Sequence, residues 1–339
     1  MIQFLSSLRY SITIISKGLC VMQRLLIEEE KVQQANKMIN VAIPLPVSDP
    51  FTYSVPEPLW NQVKVGSRVE IPFRNRCIIG YVVEVDVKQD VGRPKDIVCV
   101  IDSEPVLSDH LLRLAKWISQ YYFSSWGEAI SNMLPKIMKA RTRKRPKKEK
   151  PQKPMGLDNK SSKLVLNQEQ KIVFKKIKKA IQAGKFSEQF LFGVTGSGKS
   201  ELYIRAIKAV LKKEQSAICL VPEIAITEQL SRFFISHFHD ELEILHSKLS
   251  DRQRYEAWLR IRSGKNRVIL GPRSAVFAPA PNIGLIIMDE EQENTYKQDQ
   301  SPRYHAREVA RWRARDLGAV FLTGTATPTL ETMYSVSSG

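Results

Sequence analysis

The chain has 339 residues, 43% hydrophobic and 26% charged, which is ordinary globular composition and enough for two domains with cores of their own. Its formal charge of +17 favours a polyanionic partner, because each Lys or Arg that neutralises a phosphate releases a counterion; a soluble protein with one basic linker inflating the total is the competing reading. The four cysteines, Cys20, Cys77, Cys99 and Cys219, form no C-x-x-C pair, so neither a zinc site nor a disulfide framework is indicated, and their spacing fits a reducing cytoplasm.

Residues 1–38 read as a leader. The stretch 4–21 is fairly apolar, but Arg9, Lys17 and several serines interrupt it. It has neither the apolar core and cleavage site of a signal peptide nor the length of unbroken apolar residues that a membrane span needs, so no membrane is expected. Met22 and Met38 are alternative starts. Residues 39–105 are β-like: Val41, Ala42 and Ile43, then Arg68, Val69, Glu70 and Ile71, then 78–85 are rich in β-branched residues and separated by Pro and Gly. A small β-barrel or sandwich is the natural expectation. Residues 106–138 read as a helical connector, where Leu111, Leu112, Leu114, Ala115, Trp117 and Ile118 recur at helical spacing.

Residues 139–163 form a strongly basic, proline-containing tract with almost no apolar content, which predicts an extended linker that either contacts phosphates or serves as a solvated tether. From 164 to 339 the texture becomes α/β. Short apolar runs at 189–193, 217–221, 267–270, 285–288 and 320–323 alternate with helical patterns, which predicts a parallel sheet wrapped by helices.

Gly193, Val194, Thr195, Gly196, Ser197, Gly198, Lys199 and Ser200 satisfy the P-loop pattern G-x-x-x-x-G-K-[ST], with an apolar strand before it and a helical pattern after it. The glycines let backbone N–H groups surround phosphates while the following helix directs its N-terminus at them. Lys199 is expected to reach the β- and γ-phosphates of ATP, and the Ser200 hydroxyl to ligand Mg²⁺. Further on, the apolar run 284–288 ends in Asp289, Glu290 and Glu291. A buried parallel strand presents its C-terminal end to the ligand crevice, so Asp289 is expected to hold Mg²⁺ and Glu290 to orient or deprotonate the attacking water. A solvated acidic loop is the alternative for the carboxylates.

These segments form an ordered series. LNQEQ (166–170), GVTGSGKS (193–200), LVPEIAITEQL (220–230), ILHSKLSDRQRYEAW (244–258), VILGPRSAVFAP (268–279), MDEEQ (288–292) and GTATPTLE (324–331) resemble motifs Q, I, Ia, Ib, Ic, II and III of the first lobe of superfamily-two helicases. The versions VPEI, LHS, RSA-FAP and YHARE are most similar to the primosomal replication-restart helicase family, from 39 to the end of the chain. The fold this implies is an α/β P-loop (RecA-like) helicase lobe preceded by a small, mostly-β DNA-binding domain. The resemblance also implies that Gln170 reads the adenine edge and that Thr325, Ala326 and Thr327 couple nucleotide state to DNA. It puts Pro222, Glu223, His246, Arg273 and Ser274 near the DNA strand. Tyr296, Lys297, Arg303, Tyr304 and His305 fall in the family's aromatic-rich loop, which senses single-stranded DNA by stacking bases and holding phosphates. Phe51, Tyr53 and Gly80 match its pocket for the 3′ end of a nascent strand, with Gly80 as a close-approach glycine.

The chain departs from the family pattern in several places. Gln292 stands where His is usual, which bears on coupling between motifs II and III. Pro272 replaces a Thr, Thr52 stands at a 3′-end position where an acidic residue can occur, and the winged-helix region is reduced to the basic linker. The second lobe, its arginine finger and the cysteine-rich zinc element do not follow motif III here, so zinc is expected of the family and not of this chain, which reads as the family's N-terminal portion. The leading functional expectation is an ATP-dependent 3′-to-5′ DNA helicase of replication restart and primosome assembly, cytoplasmic and nucleoid-associated. Its expected partners are forked and single-stranded DNA, primosome and replication-restart proteins, and single-strand-binding protein. The runner-up is a non-catalytic fork-DNA-binding protein that binds ATP and hydrolyses it poorly. A P-loop kinase or transporter ATPase is disfavoured, since neither needs the Ia to Ic series or the basic surplus.

Overall fold

A computed structural model describes residues 37–88, 92, 94–139 and 165–337. The leader expected over 1–38 and the basic linker expected over 139–163 lie outside the described residues, apart from residues 37, 38 and 139.

The first unit is one antiparallel sheet of β1 (Lys37–Ala42), β2 (Phe51–Val55), β3 (Arg68–Phe73), β4 (Arg76–Val85) and β5 (Cys99–Val100), in the order β2-β1-β4-β3-β5. A register shift at Asn40 and Val41, where β1 meets β4, bends the sheet. It curls around Ile39, Val41, Val55, Val69, Ile71 and Val82. Of the small β-barrel or sandwich that the sequence leads one to expect, the structure forms a curled, partly open barrel, because β5 pairs over two residues only and β2 and β5 remain edges.

Two helices follow, α1 (Asp109–Tyr121) and α2 (Trp126–Met133). Ser108 caps the first by accepting from Leu111 N, and Ser125 with Glu128 forms a capping box on the second. Gly127 lets α2 press against the sheet: a Cβ there would stand 1.8 Å from the carbonyl oxygen of Ile43.

The second unit is a parallel sheet of β6 (Ser187–Phe192), β7 (Ser216–Leu220), β8 (Leu242–Ile244), β9 (Val268–Gly271), β10 (Ile283–Asp289) and β11 (Val320–Thr325), in the order β6-β11-β10-β7-β9-β8. The central strands are buried on both faces, which is why they read as continuous apolar runs and not as alternations. One face carries Ala217, Cys219, Leu270, Leu285 and Ile287 under α3 (Gln168–Ala183), α4 (Lys199–Leu211) and α5 (Glu228–Phe238). The other carries Ile218, Leu220, Ile269, Ile286 and Phe321 under α6 (Asp251–Arg262) and α7 (Ala306–Leu317). A last helix, α8 (Leu330–Ser337), follows β11.

Apolar residues of α1 and α2 belong to the same core as α6 and α7, so the helical connector is docked on the lobe. Trp117 stacks on Trp312 with ring centroids 5.4 Å apart. Arg313, 1% exposed, donates to the carbonyls of Val276 and Ala278 and, through Nε, to His110 Nε2 at 2.9 Å. No helix among the described residues is long and apolar enough to cross a membrane.

Candidate nucleotide site and nucleic-acid interface

In a parallel sheet the C-terminal strand ends line one edge, and nearly every residue singled out in the lobe lies there. The P-loop follows β6, Pro222 and Glu223 follow β7, His246 comes just past β8, and Pro272, Arg273 and Ser274 follow β9. Asp289 ends β10 and Thr325 ends β11.

The phosphate loop is built as its residue types require. Gly196 and Gly198 have φ of +80° and +86°, conformations that glycine adopts without strain, and Gly198 is the N-cap of α4. Gly193 N donates to Thr325 O at 3.1 Å, so the loop is seated on the end of β11. Lys199 is 9% exposed; its ammonium donates to Gly193 O at 2.8 Å and lies 3.7 Å from Glu290 Oε1. Gln170 accepts from Asn167 N through Oε1, in a capping box on α3, and donates through Nε2 to Ser197 O at 2.9 Å. Its side chain thus braces the phosphate loop.

Asp289 accepts from the Tyr203 hydroxyl at 2.9 Å. Burial, and then the neighbouring Glu290 charge, raise its carboxyl above the usual range, and a dication beside it would reverse that. Among the described residues no group of three or more His, Cys, Asp or Glu could hold a metal ion. A magnesium ion held by one hydroxyl, one carboxylate and the nucleotide's own phosphates requires no such group, and Ser200 and Asp289 would be the hydroxyl and the carboxylate of such a set. Glu290 adopts φ +46°, an uncommon left-handed conformation for a glutamate that turns the chain at the strand end.

Gln292, the position that departs from the family pattern, bridges two motifs. It donates to Glu290 Oε2 at 3.0 Å and accepts from the Thr325 hydroxyl, which also accepts from Thr327 N at 3.0 Å. Thr325 is buried, Ala326 half-buried and Thr327 exposed. Glu291, missed as a distinct residue in the acidic run, is 3% exposed and pairs with Arg307 at 2.6 Å and with the Thr332 hydroxyl of α8 at 2.8 Å. Its signal was the arginine of the YHARE segment, whose partner no spacing rule identifies.

The loop after motif II departs from expectation. Tyr296 is fully buried and Tyr304 is 2% exposed, so neither ring offers a face to a base. Tyr296 donates to Asp289 O at 2.7 Å. Tyr304 packs edge-on against Phe277 and hydrogen-bonds the side chains of Arg273 and Asn132; burial pushes its phenol up to about 12. The two tyrosines anchor a hairpin whose exposed residues include the cations Lys297 and Arg303 together with Asp299, Gln300 and Ser301, closed by a bridge between Lys297 and His305. Arg273 donates to Thr295 O at 3.2 Å and to Lys297 O, tying the loop to the end of β9, and Tyr122 of the connector accepts from His305 N at 3.2 Å. Burial lowers the pKa of both His246 and His305. Pro272 opens the 3₁₀ turn Arg273–Phe277, its carbonyl accepting from Ala275 N at 2.8 Å.

In the first sheet, Phe51 is 38% exposed on the edge strand β2, packed edge-on against Phe73. Tyr53 is 5% exposed and donates to Pro72 O at 3.2 Å, so it is a core residue and not a stacking face. Gly80 is buried also: a Cβ there would stand 2.2 Å from Val41 Cγ1, so its small size serves strand packing and not the approach of a sugar. Thr52 donates to Asn40 Oδ1, and Asn40 donates to Glu84 at 2.8 Å, which brings a carboxylate close to the edge that Thr52 itself leaves neutral.

Comparison with known proteins divides the chain at the same place. Residues 40–135 match the family described as 3′DNA-binding domain (3′BD), and residues 163–330 match the family described as Type III restriction enzyme, res subunit. Replication restart protein PriA of Treponema pallidum (strain Nichols) is 35% identical over 307 residues, 89% of this chain and 45% of that protein. Its counterpart from Chlamydia trachomatis serovar D is 34% identical over 362 residues, 84% of this chain and 48% of that protein. The Bacillus subtilis (strain 168) protein of the same name is 42% identical over 180 residues, 53% of this chain and 22% of that protein. The chain spans about half the length of the first two of these curated relatives.

Proposed function

Because the chain belongs to the replication restart protein PriA family, over about half the length of those relatives, we propose that it is the DNA-recognising and ATP-binding portion of an ATP-dependent 3′-to-5′ DNA helicase that restarts replication at stalled forks. The observation that carries this reading is the convergence of Lys199, Glu290 and Asp289 at one end of a parallel sheet, with Gln170 braced against the same loop.

In this reading Gly193, Thr195, Gly196, Ser197, Gly198 and Lys199 cradle the ATP phosphates, Ser200 and Asp289 hold magnesium, and Glu290 orients the attacking water. Magnesium supplies charge neutralisation for the phosphates. Lys199 leaves the Gly193 carbonyl and Glu290 for the β- and γ-phosphates. Gln170 contacts the adenine while its backbone stays in the capping box. Thr325, Ala326 and Thr327 relay nucleotide state, with Gln292 as the bridge to motif II. His246, Arg273, Ser274, Lys297, Arg303 and His305 face the DNA strand, and Phe51 offers the aromatic face for a terminal base. Tyr296, Tyr304, Tyr53 and Gly80 hold these surfaces in place. Primosome proteins, other replication-restart proteins and single-strand-binding protein are the proposed partners, in the cytoplasm at the nucleoid.

The test is ATP hydrolysis with and without forked DNA carrying a free 3′ end, with Lys199→Ala as control. DNA-stimulated turnover that vanishes in the variant supports the helicase reading. Fork binding with no turnover supports the runner-up, a non-catalytic fork-binding protein. Absence of fork binding excludes both.

A further inference from the structure

Asp289 is held from both faces of the parallel sheet. Tyr203, on α4 and 2% exposed, belongs to the core on one face and donates from its hydroxyl to Asp289 Oδ1 at 2.9 Å. Tyr296, in the core on the opposite face, donates to the backbone carbonyl of the same residue at 2.7 Å. Gly324 lies directly across from Asp289 in the β10–β11 register. A Cβ at Gly324 would stand 1.8 Å from the Tyr203 hydroxyl oxygen and 3.0 Å from its ring carbon Cζ, so the phenol fits only because position 324 has no side chain.

We propose that Tyr203 is a positioning residue for Asp289: its hydroxyl holds one carboxylate oxygen so that the other faces the magnesium of a bound nucleotide, and Gly324 is the residue that admits it. The proposal rests on the reading of 193–200 and Asp289 as a magnesium-nucleotide site. Its physical basis is preorganisation. A carboxylate that is free to rotate loses part of its metal affinity to ordering, and a fixed neighbouring donor removes that loss. Burial raises the Tyr203 phenol well above its ordinary range, so it stays a donor at neutral pH.

The competing role is packing, since the Tyr203 ring is a core side chain. Tyr203→Phe separates the two, because it keeps the ring and removes one oxygen. In the full chain, binding of a fluorescent N-methylanthraniloyl-ADP is followed as Mg²⁺ is raised from zero, alongside the melting temperature. The expected result for Tyr203→Phe is an unchanged magnesium-free affinity and a Mg²⁺ requirement raised about tenfold, the lower end of what loss of a ligand-orienting partner costs. Gly324→Ala is expected to raise the Mg²⁺ requirement with the tyrosine still present. An unchanged Mg²⁺ requirement in Tyr203→Phe overturns the proposal and leaves the residue a packing role. If Lys199→Ala binds the nucleotide as well as the unsubstituted chain does, the reading of the site is itself wrong and the proposal falls with it.

Discussion

The hydroxyl of Thr325 donates to the side-chain carbonyl of Gln292, so a neutral amide joins the end of β11 to the end of β10. The same amide donates to Glu290, which completes a path from motif III to motif II. The family pattern has His at this position. An amide carries an acceptor and a donor, as a neutral imidazole does, so Gln292 can serve both Thr325 and Glu290 at once.

Replacing Gln292 by Ala is expected to leave magnesium-ATP binding within about twofold while abolishing most of the linkage between nucleotide and DNA, a coupling of about 1–3 kcal/mol in typical allosteric proteins. The measurement is fork affinity by fluorescence anisotropy with and without a non-hydrolysable ATP analogue. Gln292→His is expected to retain the linkage. An undiminished nucleotide effect in Gln292→Ala would sink this path.

The contact between connector and lobe is pH-dependent with a definite sign. His110 accepts from Arg313 Nε and pairs with Asp316 at 2.8 Å; burial, then the Arg313 charge, lower its pKa from 6.5 to about 4. The fold therefore favours neutral His110, and its contribution is complete above pH 6.5 and lost as the pH falls toward 4. The shift corresponds to about 3 kcal/mol at most. Asp316, though burial raises its pKa, is pulled below its ordinary range by Arg113 and His110, and its contribution is lost at still lower pH. Denaturant midpoints from pH 8 to pH 4 should fall more steeply below 6.5 in the unsubstituted chain than in His110→Gln. Parallel curves would refute the assignment.

The junction between α2 and the first sheet has no room for a methyl group. Gly127→Ala places a carbon against the backbone of Ile43, which cannot move aside as a flexible side chain would. A loss of about 2 kcal/mol or more is expected, read from the urea midpoint. A variant as stable as the unsubstituted chain would show that this contact is loose.

Lys297 and Arg303 are the exposed cations of the hairpin after motif II. If each contacts one phosphate, the double alanine variant lowers fork affinity and reduces the slope of log affinity against log salt by about 1.4 to 1.8. Tyr304→Phe keeps the buried ring but loses its bonds to Arg273 and Asn132, and is expected to weaken DNA binding by loosening the loop, with the salt slope unchanged. Equal slopes for the double variant and the unsubstituted chain would remove both cations from the interface.

The lobe was legible in the sequence because its strands are buried on both faces, which leaves apolar runs, and because phosphate binding needs glycines at set positions. The strand β8 was not legible: it has three residues, and its middle one, Glu243, is masked by a 2.8 Å pair with Arg260. Side-chain orientation was the other loss. Aromatic residues in a basic loop suit base stacking, yet Tyr296 and Tyr304 turn inward, because their hydroxyls find backbone and side-chain partners that no periodicity reveals. Gly80 misled in the same way, its open side facing Val41. The Tyr203 and Gly324 contact joins residues far apart in sequence, and only the fold brings them together.

The most direct test of the central claim is calorimetric titration of a non-hydrolysable magnesium-ATP analogue into the chain and into Lys199→Ala. The account predicts one binding event in the unsubstituted chain, weakened by about 10- to 100-fold in the variant, the equivalent of one charged hydrogen-bond donor lost from a phosphate. Equal affinity in the two chains, or no binding in either, would contradict it.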